Sequence, residues 1–125
     1  MKKILADTNV FLRLLLNDIP SQNKQVKNLL IKAKNKKVQV IVPSIVIFEI
    51  QFVLEKYYGF GKDEVLDKIR HILSTSYLDI ESRQTFIEAA SFYKDRNLSF
   101  VDCFLIAKAK LEKLELFSFD KKLSR

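Results

Sequence analysis

Ile4-Leu5-Ala6-Asp7-Thr8-Asn9 runs small and apolar residues straight into a carboxylate, a hydroxyl and an amide. Val10 to Leu16 follows as an apolar run broken only by Arg13. The pattern predicts a short buried strand over residues 3–7, then a helix through Leu16 capped by Thr8 or Asn9. In open α/β sheets, ligands bind beyond the C-terminal ends of the strands. Asp7 stands at that edge. The question for the rest of the chain is which other groups the fold delivers beside it.

Working outward, the turn Asn17-Asp18-Ile19-Pro20 leads into a helix over residues 21–36, with Val26, Leu29, Leu30 and Ala33 at helical spacing and lysines opposite. Residues 37–42 alternate and are rich in β-branched side chains, which predicts a second strand. Pro43-Ser44 ends it and caps a helix to about Tyr58, where Gly59 stops the helix. From Ile45 to Leu54 only Glu49 and Gln51 are polar, the pattern of a buried helix. Asp63 and Glu64 open another helix, in the turn where negative charge is favourable. Residues 77–80 predict a third strand. Ser82 caps a helix to about Arg96, Ser99 caps one over residues 100–113, and residues 114–119 predict a last strand ending on Asp120. Strands alternating with helical crossovers imply an α/β fold, a parallel sheet between helices.

A length of 125 residues fits one domain with a real core. The two glycines and two prolines favour long regular elements. The formal charge is +7. If four of the fifteen acids are drawn into one site, twenty-two basic residues face eleven acids elsewhere. An acidic pocket in a basic shell suits a metal-dependent enzyme acting on nucleic acid. Cys103 is the sole cysteine, which excludes an internal disulfide, argues against a cysteine zinc site and fits a reducing cytoplasm. Met1-Lys2-Lys3 looks like the start of a signal peptide, but Asp7, Asn9 and Arg13 interrupt the apolar segment and no cleavage site follows. No apolar run is long enough to span a membrane.

Four carboxylates carry the chemistry. Glu49 lies in so apolar a helix that it is paired with Arg13 or a lysine, half exposed, or bound to a metal. Asp102 follows Ser99 in a Ser-x-x-Asp pattern close to a capping box. Asp120 follows the last predicted strand, where a turn or cap aspartate is also expected, and Asp7 has the same cap reading. Taken singly, Asp102 and Asp120 read better as caps. Together, Asp7 and Asp120 fall at C-terminal strand ends, Asp102 opens a helix, and Glu49 lies about one and a half turns into another. Gathered carboxylates repel, so a stable cluster needs a cation. Oxygen donors without clustered His or Cys select Mg²⁺ or Mn²⁺, the metals of phosphoryl transfer.

Leu5-Ala6-Asp7-Thr8-Asn9, Glu49 in its apolar helix, Phe100-Val101-Asp102-Cys103-Phe104-Leu105-Ile106-Ala107 and Phe117-Ser118-Phe119-Asp120-Lys121 together resemble a PIN-domain ribonuclease, in particular the VapC-like toxins of toxin–antitoxin pairs. The resemblance covers essentially the whole chain. It implies a single PIN domain over residues 1–125, a three-layer α/β/α sandwich with a parallel sheet of four to five strands. Asp7, Glu49, Asp102 and Asp120 match the family's acidic quartet, holding one or two Mg²⁺ or Mn²⁺ ions. Thr8, Asn9 and Ser118 match polar positions that line the site. Ser99 departs from the pattern, since many relatives carry a further aspartate there. The implied activity is endonucleolytic hydrolysis of single-stranded RNA or RNA loops, leaving a 5′-phosphate and a 3′-hydroxyl. The implied setting is cytoplasmic, with RNA as substrate, a cognate antitoxin as partner, a homodimer as assembly and no membrane. Arg13 and Lys121, near the acids in sequence, are the expected phosphate contacts.

His71 is alone on a helix and offers no acid–base pair. Cys103, in an apolar run, reads as core. A haloacid-dehalogenase-type phosphatase would need an aspartate at position 9, where this chain has Asn9. A receiver domain would need an acidic neighbour for Asp7. The remaining alternatives are a PIN-like module that binds RNA or protein without cutting, and a PIN nuclease of RNA processing.

Overall fold

Val38–Val42 is the strand around which the protein is built. Val40 and Val42 are fully buried, and the β-branched run gives the strand apolar contacts on the pleated surface. In the computed structural model, which describes residues 1–123, this strand (β2) lies between β1 (Lys2–Leu5) and β3 (Leu78–Ile80), and both pairings are parallel. Ile4 pairs with Val40 and Val42 with Ile80. The Ala6 N–H donates to the Ile41 carbonyl at 3.0 Å, carrying the ladder one residue past β1.

Helices flank the sheet to give the three-layer α/β/α sandwich. They are α1 (Thr8–Leu16), α2 (Pro20–Lys34), α3 (Ser44–Phe52), α4 (Lys62–Leu73), α5 (Arg83–Tyr93) and α6 (Phe100–Glu112). A π-helical turn, Val53–Tyr57, continues α3. The chain leaves it through Gly59 at φ +71°, a left-handed conformation that glycine adopts without the Cβ penalty.

An aromatic cluster joins α3, α5 and α6. The Phe48 ring lies 5.1 Å from Phe86 and 4.9 Å from Phe104, and Tyr93 lies 5.2 Å from Phe100. Edge-on pairs of this kind contribute about 0.5–1.5 kcal/mol beyond their buried area. The cluster also fixes the carboxylates, because Glu49 follows Phe48 and Asp102 lies between Phe100 and Phe104.

Two expectations change here. The sheet has three strands among the described residues, against the four to five expected. Residues 114–118 form neither strand nor helix. Lys113 turns left-handed (φ 55°), and the Leu114 N–H closes the helix end on the Ala109 carbonyl. Leu-Glu-Leu-Phe-Ser-Phe places large apolar groups on both of its alternating faces, so it gains from a strand only where both faces are covered. Phe117 and Phe119 are instead 81% and 94% exposed. As a result β1 is an edge strand rather than a buried one, and Leu5 is 71% exposed.

Candidate functional site

Asp7 leaves β1 in extended conformation (φ −92°, ψ 178°) and caps α1 with its own side chain, Oδ1 accepting from the Val10 N–H at 3.3 Å. Asp7 therefore takes the capping position expected of Thr8 or Asn9. Thr8 is buried at the first position of α1, and Asn9 is exposed.

Glu49 is not buried. It lies on an exposed side of α3, with Ile45 at 72% and Phe52 at 57% exposure on the same helix. Together with Phe48, Gln51 and Val101 these residues line a hollow of about 310 Å³. The uniformly apolar sequence of α3 concealed this, because one side of the helix reaches solvent instead of core. Val101 brings the start of α6 to the same hollow, so Glu49 and the residue before Asp102 share it.

Asp102 is half-buried in the first turn of α6. Its N–H donates to the Ser99 Oγ at 3.1 Å, the capping bond that the Ser-x-x-Asp spacing predicts. Beside it, burial pushes the Cys103 thiol above its ordinary range, with the nearby Asp102 charge adding to the effect and Lys62 opposing it. A buried thiol held protonated fits a core residue.

Asp120 is exposed and sits in a turn of its own. Its N–H donates to Ser118 Oγ at 2.9 Å, and its Oδ1 accepts from the Lys122 N–H at 2.9 Å. The Lys122 ammonium reaches the Asn97 carbonyl at 3.4 Å, which holds this turn against the loop before Ser99. Lys121 is exposed.

Arg13 is engaged elsewhere than expected. Its guanidinium donates to both oxygens of Asp18 at 2.6 Å, and this bond holds the Asp18 carboxyl below its usual range. The other ion pairs among the described residues are Lys94–Asp63, Lys108–Glu112 and Lys110–Glu88. None involves Asp7, Glu49, Asp102 or Asp120.

The donor chemistry of these four acids, oxygen throughout, fits a hard divalent cation. Their positions fit less closely, since no three His, Cys, Asp or Glu side chains lie near enough to hold one metal ion among the described residues. Asp7 and Asp102 begin helices, Glu49 shares a hollow with the residue before Asp102, and Asp120 is tied to the loop before it. The structure thus sets Glu49 and Val101 around one hollow, holds the Asp120 turn against the loop before α6, and places Asp7 at the cap of α1.

Two polar contacts were not foreseen. The Ser44 N–H, at the start of α3, donates to the Glu81 carboxylate at 3.0 Å, so the acid following β3 serves the helix following β2. Parallel pairing of β2 with β3 makes the two neighbours, a relation invisible along the sequence. The Tyr93 hydroxyl donates to Glu55 at 2.6 Å, and Gln51 donates to the Tyr93 oxygen at 3.2 Å, which ties α5 to the π-helical turn. The spacing of Gln51 and Glu55 on one helical face was the only signal for this contact.

The PIN domain family model matches residues 4–125. The chain is also similar to a protein of Aquifex aeolicus (strain VF5) named VapC ribonuclease, with 25% identity over 122 residues, covering 97% of this chain and 90% of that protein. No solved structure gives a significant match. No helix among the described residues is long and apolar enough to cross a membrane. With the parallel sheet between helices, and with the acids at a strand end and helix starts, a family match over nearly the full length shows that the chain belongs to the PIN domain family.

Proposed function

We propose that this protein is a divalent-metal-dependent endoribonuclease that hydrolyses single-stranded RNA or RNA loops, and that it serves as the toxin of a toxin–antitoxin pair. The carrying observation is that Asp7, Glu49, Asp102 and Asp120 stand exposed or half-exposed without an ion-paired lysine or arginine among the described residues. In a chain with twenty-two basic residues, acids left unneutralised by the protein's own cations are available to an external one. Family membership and the name of the Aquifex relative support the substrate and the toxin role.

In this reading Asp7, Asp102 and Asp120 hold one or two Mg²⁺ or Mn²⁺ ions, and Glu49 orients water beside them. Such a cation, when bound, would supply an acidified water and charge compensation for the phosphoryl oxygens. Ser99 and Ser118 position Asp102 and Asp120 through the backbone bonds described above, while Thr8 and Asn9 shape the turn that presents Asp7. Arg13, bonded to Asp18, and Lys121, next to Asp120 in sequence, are the proposed phosphate contacts. An antitoxin protein and a second copy of the chain are the proposed partners, and the setting is cytoplasmic.

A second reading, a PIN module that binds RNA without cutting, is favoured by one observation, the lack of three close metal donors among the described residues. Incubation with end-labelled single-stranded RNA separates the two. The nuclease reading expects Mg²⁺-dependent cuts leaving 5′-phosphates, abolished by EDTA and by Asp102→Asn. Cleavage undiminished by either treatment refutes the assignment, and RNA binding without cleavage establishes the second reading.

A further inference from the structure

The segment after α6 is anchored at two points. Leu116 and Leu123 line one hollow with Ile106 and Ala109 of α6, and Leu123 is buried. Between these anchors Phe117 and Phe119 stand 81% and 94% exposed, on either side of the half-buried Ser118. Their rings pair edge-on, 5.5 Å apart at an interplanar angle of 81°. An edge-on pair leaves flat ring faces open to solvent, and such faces are the surfaces on which nucleobases stack.

The turn that follows these rings borders a cationic hollow. Arg96, Asn97, Leu98 and Lys122 line a space of about 410 Å³. No Asp or Glu lines it, and neither cation is ion-paired among the described residues. Both are held in place by neutral groups. The Arg96 guanidinium lies 5.3 Å from the centre of the Phe92 ring, and the Lys122 ammonium donates to the Asn97 carbonyl. On one side the loop runs from Leu98 into Ser99, the cap that accepts from the Asp102 N–H; on the other, Lys122 shares a turn with Asp120. Three residue steps separate Phe119 from Lys122, a chain reach of at most roughly 10–11 Å. The rings and the hollow therefore fall within the span of neighbouring nucleotides.

We propose that this surface is a nucleotide-positioning subsite, in which Phe117 and Phe119 stack on unpaired bases of single-stranded RNA while Arg96 and Lys122 hold a backbone phosphate beside them. Open aromatic faces next to unneutralised cations match the two needs of an unpaired strand, stacking for its bases and counter-charge for its phosphates. The contact is indifferent to sequence, because every base has a flat face, and it selects single strands, because paired bases in a duplex are already stacked. A second copy of this chain matches the surface poorly, since it would bring the same cations against it. The inference rests on RNA being the substrate of the proposed nuclease and adds which residues grip the strand beside the Asp120 turn.

The probes are oligouridylate and an abasic oligomer with the same number of phosphates, each titrated into the full chain in EDTA so that cleavage plays no part. Phe117→Leu and Phe119→Leu keep apolar bulk and lose the flat face; each should weaken oligouridylate at least about fivefold, with unchanged thermal unfolding and little effect on the abasic oligomer. The chain has no tryptophan, so the Phe119→Trp variant carries a single indole reporter. It should bind oligouridylate as well as wild type, with its emission quenched by that strand and not by the abasic one. The double variant Arg96→Gln and Lys122→Gln should weaken both oligomers and lower the slope of log affinity against log salt by about 1.4, the value for two lost contacts on a single strand. Leucine variants that bind like wild type, quenching by the abasic oligomer, or an unchanged salt slope would each overturn the proposal while leaving the nuclease reading intact. Leucine variants that change the oligomeric state in light scattering and not RNA affinity would overturn it in favour of a contact between copies. A wild-type chain that binds no oligouridylate would overturn both the subsite and the RNA substrate.

Discussion

Asp7 caps α1 and is the first ligand of the proposed metal site, and two substitutions separate these roles. Asparagine caps a helix about as well as aspartate, whereas alanine loses the cap at a typical cost of about 0.5–2 kcal/mol. Here the cap bond is long, 3.3 Å from the Val10 N–H, and exposed, which places the loss near the low end, about 0.5–1 kcal/mol. For a chain of this size that corresponds to a fall in Tm of roughly 2–4 °C. Asp7→Ala should show that fall, and Asp7→Asn should unfold with the wild type. Activity should divide differently. Both variants lose the carboxylate charge, so Mg²⁺-dependent RNA cleavage should drop at least about a hundredfold in each. Thermal unfolding by circular dichroism and single-turnover cleavage of one RNA measure the two effects on the same preparations. An Asp7→Asn protein that cleaves at the wild-type rate refutes the ligand role, and an Asp7→Ala protein as stable as wild type refutes the cap.

Tyr93→Phe removes a hydroxyl that donates to a half-buried carboxylate; with Gln51 still donating to Glu55, the cost should be about 1–2 kcal/mol, or roughly 4–8 °C in Tm. Burial and the Glu55 contact raise the Tyr93 pKa, so this contribution is complete below the unfolded value near 10 and declines as pH climbs beyond it; urea midpoints of the two proteins measured up to alkaline pH would contradict this if their gap were absent at neutral pH. The bond from the Ser44 N–H holds the Glu81 carboxyl below its ordinary range, so its stabilisation is present above the unfolded value of about 4.3 and disappears as pH falls through the lowered one. Glu81→Gln should therefore unfold at lower urea than wild type at neutral pH and converge with it in acid, and a gap unchanged down to pH ~3 would exclude this linkage.

What could be read along the chain followed from local rules. The β-branched run of β2, the Ser99 cap and the glycine exit after the π-helical turn each rest on preferences carried by a few adjacent residues. What could not be read depended on pairing between distant segments. Leu5 has the composition of a buried residue, and its exposure follows from what residues 114–119 do. The apolar sequence of α3 does not record that Ile45 and Phe52 face solvent around Glu49. Arg13 lies close to Asp7 in sequence, yet it is Asp18, five residues on, that holds its guanidinium. The types of the candidate ligands were legible from the sequence, but their separations were not. The Phe48–Phe104 contact that sets α3 beside α6, and the Lys122–Asn97 contact that holds the Asp120 turn to the loop before α6, both join segments far apart in sequence.

The exposed margin of β1 has a consequence for solution behaviour. Beyond its bonds to β2, the strand's other side is an uncovered row of peptide donors and acceptors among the described residues, and such a row can template the addition of another chain. Lys2 and Lys3 are both exposed on this short strand. Positive charge at that position repels a second copy arriving in the same register, and a four-residue strand offers little length to zip against. These lysines therefore act as electrostatic guards of the edge, and the protection they give weakens as salt shortens the reach of their charge.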